Sequence, residues 1–224
     1  MISVVLCTHN RASALDETLA SFYAQDFPGD VGFEMLVVDN GSTDATAAVC
    51  ARYATYPNFR HVYEPELGLS AARNRGIREA RGDIIATLDD DVLVDRNWLR
   101  RLAQSYAETH ADVVGGRSYL ILRGDPPPWF GPDFRGYLSE VDLGPERRDA
   151  GDGRRLFGLN ISFRRSAIEQ AGGFDPGLGR RGARLLCGEE RRLCAAIAAQ
   201  GGKLVYEPSA VVGHVILPER LQWD

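Results

Sequence analysis

The sequence has few of the features that mark secreted, membrane-spanning or nucleic-acid-binding chains. Its four cysteines, Cys7, Cys50, Cys187 and Cys194, include no Cys-x-x-Cys spacing, which speaks for buried free thiols rather than a disulfide framework or a zinc site. No apolar run approaches the length of about eighteen residues that a membrane span needs. Ile2-Ser3-Val4-Val5-Leu6-Cys7 enters a strand directly where a signal peptide would begin. A strongly basic block is also missing, and the formal net charge is −5. Nucleic acid is therefore not the expected partner, although Arg147-Arg148 with Arg154-Arg155 could face an anionic ligand. The expected place of action is the cytoplasm.

What is present is an ordinary globular composition, 44% hydrophobic and 25% charged over 224 residues, a length suited to one large α/β domain. Apolar runs at Ile2–Cys7, Phe33–Val38 and Ile84–Leu88, with a weaker one at Phe59–Tyr63, read as strands. Between them, Leu15, Leu19, Phe22 and Tyr23 fall at helical spacing before Pro28-Gly29. Val49 and Tyr53 sit in a second helix; Ala72, Ile77 and Ala80 mark a third, capped by Ser70 and ended by Gly82. Asp95 is placed to cap a fourth helix that carries Trp98, Leu99, Leu102 and Tyr106. The order is β-α-β-α-β-α-β-α, with polar residues at the strands' carboxyl ends, the side of an open parallel sheet that binds ligands.

After Gly116 the rhythm changes. Ser118–Leu122 reads as a strand, and Pro126-Pro127-Pro128-Trp129-Phe130 as part of an ordered lid. Residues 144–155, charged and glycine-rich, read as a mobile loop. Leu156–Phe163 is apolar but interrupted by Gly158 and Asn160, which suits either close approach to a ligand or a bulge. A short helix covers Ser166–Ala171. A further helix opens at Gly188-Glu189-Glu190, and strands follow at Lys203–Tyr206 and Val211–Val215.

Three places carry chemistry. Asp89-Asp90-Asp91, at the end of a buried strand, repel one another. A hard divalent ion shared with substrate phosphates relieves that repulsion, and so does an acidic turn left in water. Glu189 and Glu190 open a helix, where its dipole favours acids, and either is a candidate general base. His214, alone among apolar residues, reads as a hydrogen-bonded core residue, or as a nitrogen ligand or phosphate contact if a metal is present.

These residues resemble the family 2 inverting glycosyltransferases of the nucleotide-sugar-binding GT-A fold. The resemblance is carried, in order, by Cys7-Thr8-His9-Asn10-Arg11, Val38-Asp39-Asn40-Gly41-Ser42-Thr43-Asp44, Gly68-Leu69-Ser70-Ala71-Ala72-Arg73-Asn74-Arg75-Gly76-Ile77 and the Asp-x-Asp motif Asp89-Asp90-Asp91. Gly158-Leu159-Asn160, Gly173-Phe174-Asp175, Gly188-Glu189-Glu190 and Pro208 to His214 complete it. It implies a Rossmann-like, mostly parallel sheet flanked by helices in a single domain over 1–224, with a nucleotide-binding half (1–116) and a donor-sugar and acceptor half (117–224).

By the same resemblance Thr8, His9, Asn10, Arg11, Asp39, Arg73, Asp89 and Asp90 bind the nucleotide, and Asp39 accepts a hydrogen bond from a ring nitrogen of the base. Asp91, Asp89 and His214 hold a divalent cation, Mn²⁺ or Mg²⁺. Asn160 touches the donor sugar, and Glu190, or else Glu189, takes the proton of the acceptor hydroxyl. The implied donor is a nucleotide sugar, most simply a UDP-sugar. The implied acceptor is a glycan or a lipid-linked molecule in polysaccharide assembly, with peripheral association at the inner face of the membrane as a corollary. Two positions depart from the family pattern: His9 stands where tyrosine is frequent, and Glu190 where aspartate is common. The chain ends soon after His214, where relatives often continue, so a catalytic domain cut from a longer protein is expected.

Three other readings share these motifs. A sugar-1-phosphate nucleotidyltransferase would carry a glycine-rich triphosphate loop near the first strand, and Thr8–Leu15 contains no glycine. A nucleotide-sugar-binding module would keep the motifs without turnover. A phosphatase would use Asp89 as nucleophile.

Overall fold

Branched apolar side chains at successive positions form the strands β1 (Ile2–Thr8), β2 (Phe33–Asp39), β3 (Phe59–Tyr63) and β4 (Ile84–Asp89), since such side chains pack well on a pleated surface. Helices α1 (Ala12–Tyr23), α2 (Thr46–Tyr53) and α3 (Leu69–Glu79) alternate with them, and α4 (Trp98–Thr109) follows the short β5 (Val92–Val94). The second half contains β6 (Val113–Leu122), α5 (Pro132–Arg135), β7 (Arg148–Asp149), β8 (Asn160–Arg164), α6 (Arg165–Ala171), α7 (Glu189–Ala199) and β9 (Leu204–Ile216). The computed structural model describes residues 1–27, 29, 31–180 and 186–222. Pro28, expected just past α1, lies outside them.

The strands form one sheet in the order β3-β2-β1-β4-β8-β6-β9-β5, with β7 on β9. The long pairings of β1 with β2 and β4, of β2 with β3 and of β6 with β9 are parallel. β8 runs antiparallel between β4 and β6, and β5 and β7 run antiparallel to β9. This is the expected mixed α/β domain with a mostly parallel central sheet. Alternation along each strand divides the core into two layers. Val4 and Leu6 of β1 with Met35 and Val37 of β2 meet Leu15, Leu19 and Phe22 of α1 and Trp98, Leu99 and Leu102 of α4. Val5, Leu36 and Val38 point the other way, into a layer with Ala72 and Ile77 of α3, Ile168 of α6 and Leu193 and Ile197 of α7. Among the described residues no helix is long and apolar enough to cross a membrane.

Several local expectations need correction. Ser70 does not cap α3; Gly68 holds the N-cap position, and Ser70 Oγ donates to the Leu178 carbonyl at 2.7 Å. Asn97, not Asp95, precedes α4, while Asp95 Oδ1 accepts from Asn97 N at 2.9 Å. Residues 144–155 contain β7, which pairs with β9, and Cys187 is exposed while Cys50 and Cys194 are buried.

The largest difference lies in β9, a single thirteen-residue strand where two were expected. Its register against β6 passes from Gly116↔Glu207 to Arg117↔Val211, so Pro208, Ser209 and Ala210 bulge out of the ladder. The bulge accommodates a proline that lacks the N–H a central strand needs. Ser209 Oγ donates to Glu207 Oε1 at 2.6 Å, and the Ala210 carbonyl accepts from Asn160 Nδ2 at 2.9 Å. A Cβ on Gly116 would collide with that same carbonyl and with the Asn160 amide. Gly116→Ala is thus expected to cost about 1–3 kcal/mol through overpacking. Differential scanning calorimetry should show a lower Tm for it than for Gly131→Ala, where the new methyl meets nothing within 4 Å. Equal melting points for the two variants would remove the bulge from the account.

Candidate active site

The parallel register sets Thr8 beside Asp39 and Cys7 beside Asp89, so the carboxyl ends of β1, β2 and β4 open on one side of the sheet. The loops that leave β1 and β2 are laced together. Asn10 adopts φ 52°, donates its N–H to Ser42 Oγ at 3.0 Å and accepts from Thr43 N at 2.7 Å. Asp44 Oδ2 accepts from Ala12 N at 3.0 Å and its Oδ1 from Thr46 N at 3.0 Å, so one carboxylate ties the starts of α1 and α2. His9 Nδ1 donates to the Asn40 carbonyl at 2.7 Å and leaves an exposed ring. Asp39 is buried; Oδ1 accepts from Ser42 N at 2.9 Å, while Oδ2 lies 3.8 Å from His61 Nε2.

The three aspartates are directed to three different places. Asp89 Oδ1 is 3.3 Å from Arg73 Nη2. Asp90 is buried, with Oδ2 accepting from Thr8 Oγ1 at 2.7 Å and Oδ1 paired with Arg11 Nη1 at 2.9 Å. Burial pushes its carboxyl up to about 7 against the pull of Arg11. Both Asp90 oxygens and the Thr8 hydroxyl thus have partners inside the protein, so these two residues brace the end of β1.

Asp91 Oδ2 meets Arg11 Nη2 at 2.9 Å, Arg220 Nη1 at 3.1 Å and His214 Nε2 at 3.4 Å. Burial raises this carboxyl, but Arg11 and Arg220 outweigh burial and hold it well below the usual carboxylate range. Asp91 Oδ1 is buried with no hydrogen-bond partner. His214 reaches Asp91 through the sheet: Val92 of β5 pairs with His214 of β9, and Val215 N donates to the Asp91 carbonyl at 2.8 Å. His214 Nδ1 lies 2.8 Å from the Leu138 carbonyl. A carbonyl only accepts, so Nδ1 carries the proton and the lone pair of Nε2 faces Asp91. Leu138 lies just past the expected lid, residues 124–136, whose Trp129 and Phe130 pack on Leu120, Ile216 and Leu221.

A second cluster forms around Arg73. Its Nη1 is 2.7 Å from Glu189 Oε1, its guanidinium lies 5.3 Å from the Phe174 ring, and Gly158 leaves room for it where a Cβ would collide with Nη2. The Arg73 and Glu189 side chains are only 4% and 5% exposed. Arg73, expected at the nucleotide, thus pairs with the carboxylates of Asp89 and Glu189. Glu190 is partly buried, and burial with the neighbouring Glu189 raises its pKa against the pull of Arg73. Its Oε2 is also buried without a partner. Beneath these groups, burial pushes the Cys7 thiol up to about 12, so it stays protonated.

Asn160 has a different part from the one expected. It is buried, its Oδ1 accepts from Trp98 Nε1 at 2.8 Å, and its Nδ2 donates to the carbonyls of Arg117 and Ala210 at 2.9 Å. With those bonds made, it anchors the β9 bulge. The expected metal set is not assembled either. Asp91 and His214 meet while Asp89 turns to Arg73, and among the described residues no group of three His, Cys, Asp or Glu side chains comes together for a metal. Arg220 and His61 were not singled out from the sequence. His61 is an exposed residue of β3 in register with Val37, and nothing local marks either it or Arg220.

Acids and a buried arginine gather at the strand ends of the sheet, the side on which open α/β sheets bind ligands. The profile described as Glycosyl transferase family 2 matches residues 3–171, and the chain belongs to that family of glycosyltransferases. A glucosyl-dolichyl phosphate glucuronosyltransferase of Haloferax volcanii is 27% identical over all of this chain and 72% of its own length. A pre-mycofactocin glycosyltransferase of Mycobacterium tuberculosis is 28% identical over 95% of this chain and 42% of its own. Among solved structures, the mannosyltransferase PcManGT of Pyrobaculum calidifontis, in complex with GDP-Man and Mn²⁺, superposes with a TM-score of 0.69 at 27% identity, over 95% of this chain and 56% of that one. A TarS fragment of S. aureus shares the fold with a TM-score of 0.74 at 19% identity, over 96% of this chain and 60% of that one.

Proposed function

We propose that this chain transfers a sugar from a nucleoside-diphosphate donor, most simply a UDP-sugar, to a hydroxyl of a glycan or lipid-linked acceptor, with inversion at the anomeric carbon. The observation that supports this reading best is a set of buried carboxylate oxygens without partners, Asp91 Oδ1 just past β4 and Glu189 Oε2 and Glu190 Oε2 at the start of α7. Buried polar atoms left unpaired are costly, and sites that await a ligand are where they persist. Asp91 Oδ1 with the lone pair of His214 Nε2 fits a divalent cation, Mn²⁺ or Mg²⁺, that completes its shell with diphosphate oxygens and water. Such a cation supplies charge neutralisation to the departing nucleoside diphosphate.

The remaining work falls to the chain itself. Asp39 Oδ2 accepts an N–H from the base, which uracil, thymine and guanine offer at the ring and cytosine does not. Arg73 fixes Asp89 and Glu189, and Glu190 takes the acceptor's proton as its oxygen attacks the anomeric carbon opposite the breaking bond. A lipid-linked acceptor agrees with the dolichyl phosphate in the name of the Haloferax relative, and it would place the domain beside a membrane without spanning it.

A thermal-shift panel of UDP, dTDP, GDP and CDP, each with and without Mn²⁺, tests this reading. At a hundred times its dissociation constant a nucleotide adds about 2.7 kcal/mol, roughly 5–10 °C for a domain of this size. The expected result is a shift with UDP that needs Mn²⁺, none with CDP, and loss of the shift in Asp91→Ala. No shift with any nucleotide in either condition would end the proposal.

A further inference from the structure

Arg220 lies outside every motif at the strand ends, yet it touches both side chains proposed to hold the cation. It sits in a single 3-10 turn, residues 218–221, directly after β9, and the buried Leu221 packs that turn against Leu120 and Ile216. Arg220 Nη1 is 3.1 Å from Asp91 Oδ2 and 3.1 Å from His214 Nε2. One guanidinium nitrogen therefore stands between the two atoms, and a guanidinium can only donate. Arg11 already satisfies Asp91 Oδ2 at 2.9 Å and bonds Asp90 with its other nitrogen at 2.9 Å. Asp91 thus has two guanidiniums on one oxygen and none on the other.

A divalent ion and Arg220 compete for His214 Nε2, because its one lone pair cannot accept from a guanidinium and bind a metal at once, and a metal–nitrogen bond of about 2.0–2.2 Å would set two like charges against each other. Arg220 can leave. Its side chain is 25% exposed, it lies on a turn and not within the sheet, and the departing fork matches two phosphate oxygens at once. We propose that Arg220 is an exchangeable counter-cation: it offsets the charge of Asp91 and donates to His214 Nε2 in the nucleotide-free chain, yields to the metal when a nucleoside diphosphate arrives, and then grips the diphosphate. The inference rests on the cation site proposed above. It makes metal and nucleotide binding mutually dependent, a coupling that is reciprocal by linkage.

The test is free Mn²⁺ measured by electron paramagnetic resonance during titration of wild type, R220Q, R220K and D91N, first without nucleotide and then with saturating UDP or, separately, GDP. R220Q is expected to bind bare Mn²⁺ about tenfold more tightly than wild type, and Mn²⁺ with nucleotide about tenfold more weakly. R220K keeps the charge and loses the fork, so its bare-metal affinity should match wild type while its nucleotide arm weakens; should R220Q fail to fold, this variant decides. Unchanged affinity in either arm of R220Q, or in the nucleotide arm of R220K, overturns the inference. If D91N still abolishes Mn²⁺ binding in that case, the cation site stands and only the role of Arg220 falls. Mn²⁺ binding indifferent to D91N overturns both.

Discussion

Glu190→Gln is expected to turn over donor and acceptor about a thousandfold more slowly than wild type while keeping the metal-dependent nucleotide shift. The magnitude is that of a lost general base, about 10²–10⁴ in rate. The two neighbouring glutamates divide on structural grounds. Each has a buried oxygen without a partner, but Glu189 Oε1 is held 2.7 Å from Arg73 Nη1, whereas the pKa of Glu190 is raised, first by burial and then by Glu189. A raised pKa also fixes the direction of the pH dependence. The base acts as the carboxylate, so kcat/KM should climb with pH up to the raised value and then level, its acid limb lying above that of an ordinary glutamate. In Glu190→Gln that limb should disappear. Steady-state rates across pH check both points, and a variant within tenfold of wild type would move the base elsewhere.

Arg73→Met should be the most destabilising single change in the site. It leaves Glu189, and partly Asp89, as buried acids without their counter-charge. Breaking such a pair costs about 3–5 kcal/mol, a fall in Tm of roughly 10 °C for a domain of this size. Removing both partners in Arg73→Met with Glu189→Leu should recover part of that loss, because no lone charge then remains inside. Arg96→Met, at an exposed pair with Asp26, provides the comparison. If Arg73→Met melts with Arg96→Met, the cluster does not clamp the site.

Much of this architecture was legible in the chain because its causes are local. Alternating and helical spacing gave the four amino-terminal strands and helices, and the runs that end in Thr8, Asp39 and Asp89 put polar residues on the binding side. What escaped depends on partners distant in sequence. Nothing near Asn160 in sequence announces its hydrogen bonds to Trp98 and Ala210, sixty-two and fifty residues away. Glu189 and Glu190 differ by about 100° of helix rotation, and only the packing of α7 shows which one meets Arg73. The two expected strands at the carboxyl end merge because Pro208 is looped out of the ladder, a solution that composition does not announce. Arg220 follows His214 by six residues, a spacing with no periodic meaning, and a 3-10 turn was needed to bring the two together.

The pairing of β5 with β9 has a consequence for how this site can vary. Asp91 and His214 are brought together by position along neighbouring strands, so the sheet acts as their reading frame. A single residue gained or lost between the bulge and His214 would send the imidazole to the opposite face, away from Asp91, and leave Val92 opposite a glycine or a valine. The bulge is the one place along β9 where such a slip can be absorbed, because its residues are not committed to the ladder. Length changes compatible with an intact Asp91–His214 pair are therefore confined to residues 208–210, and elsewhere in β9 substitutions are tolerable where insertions are not.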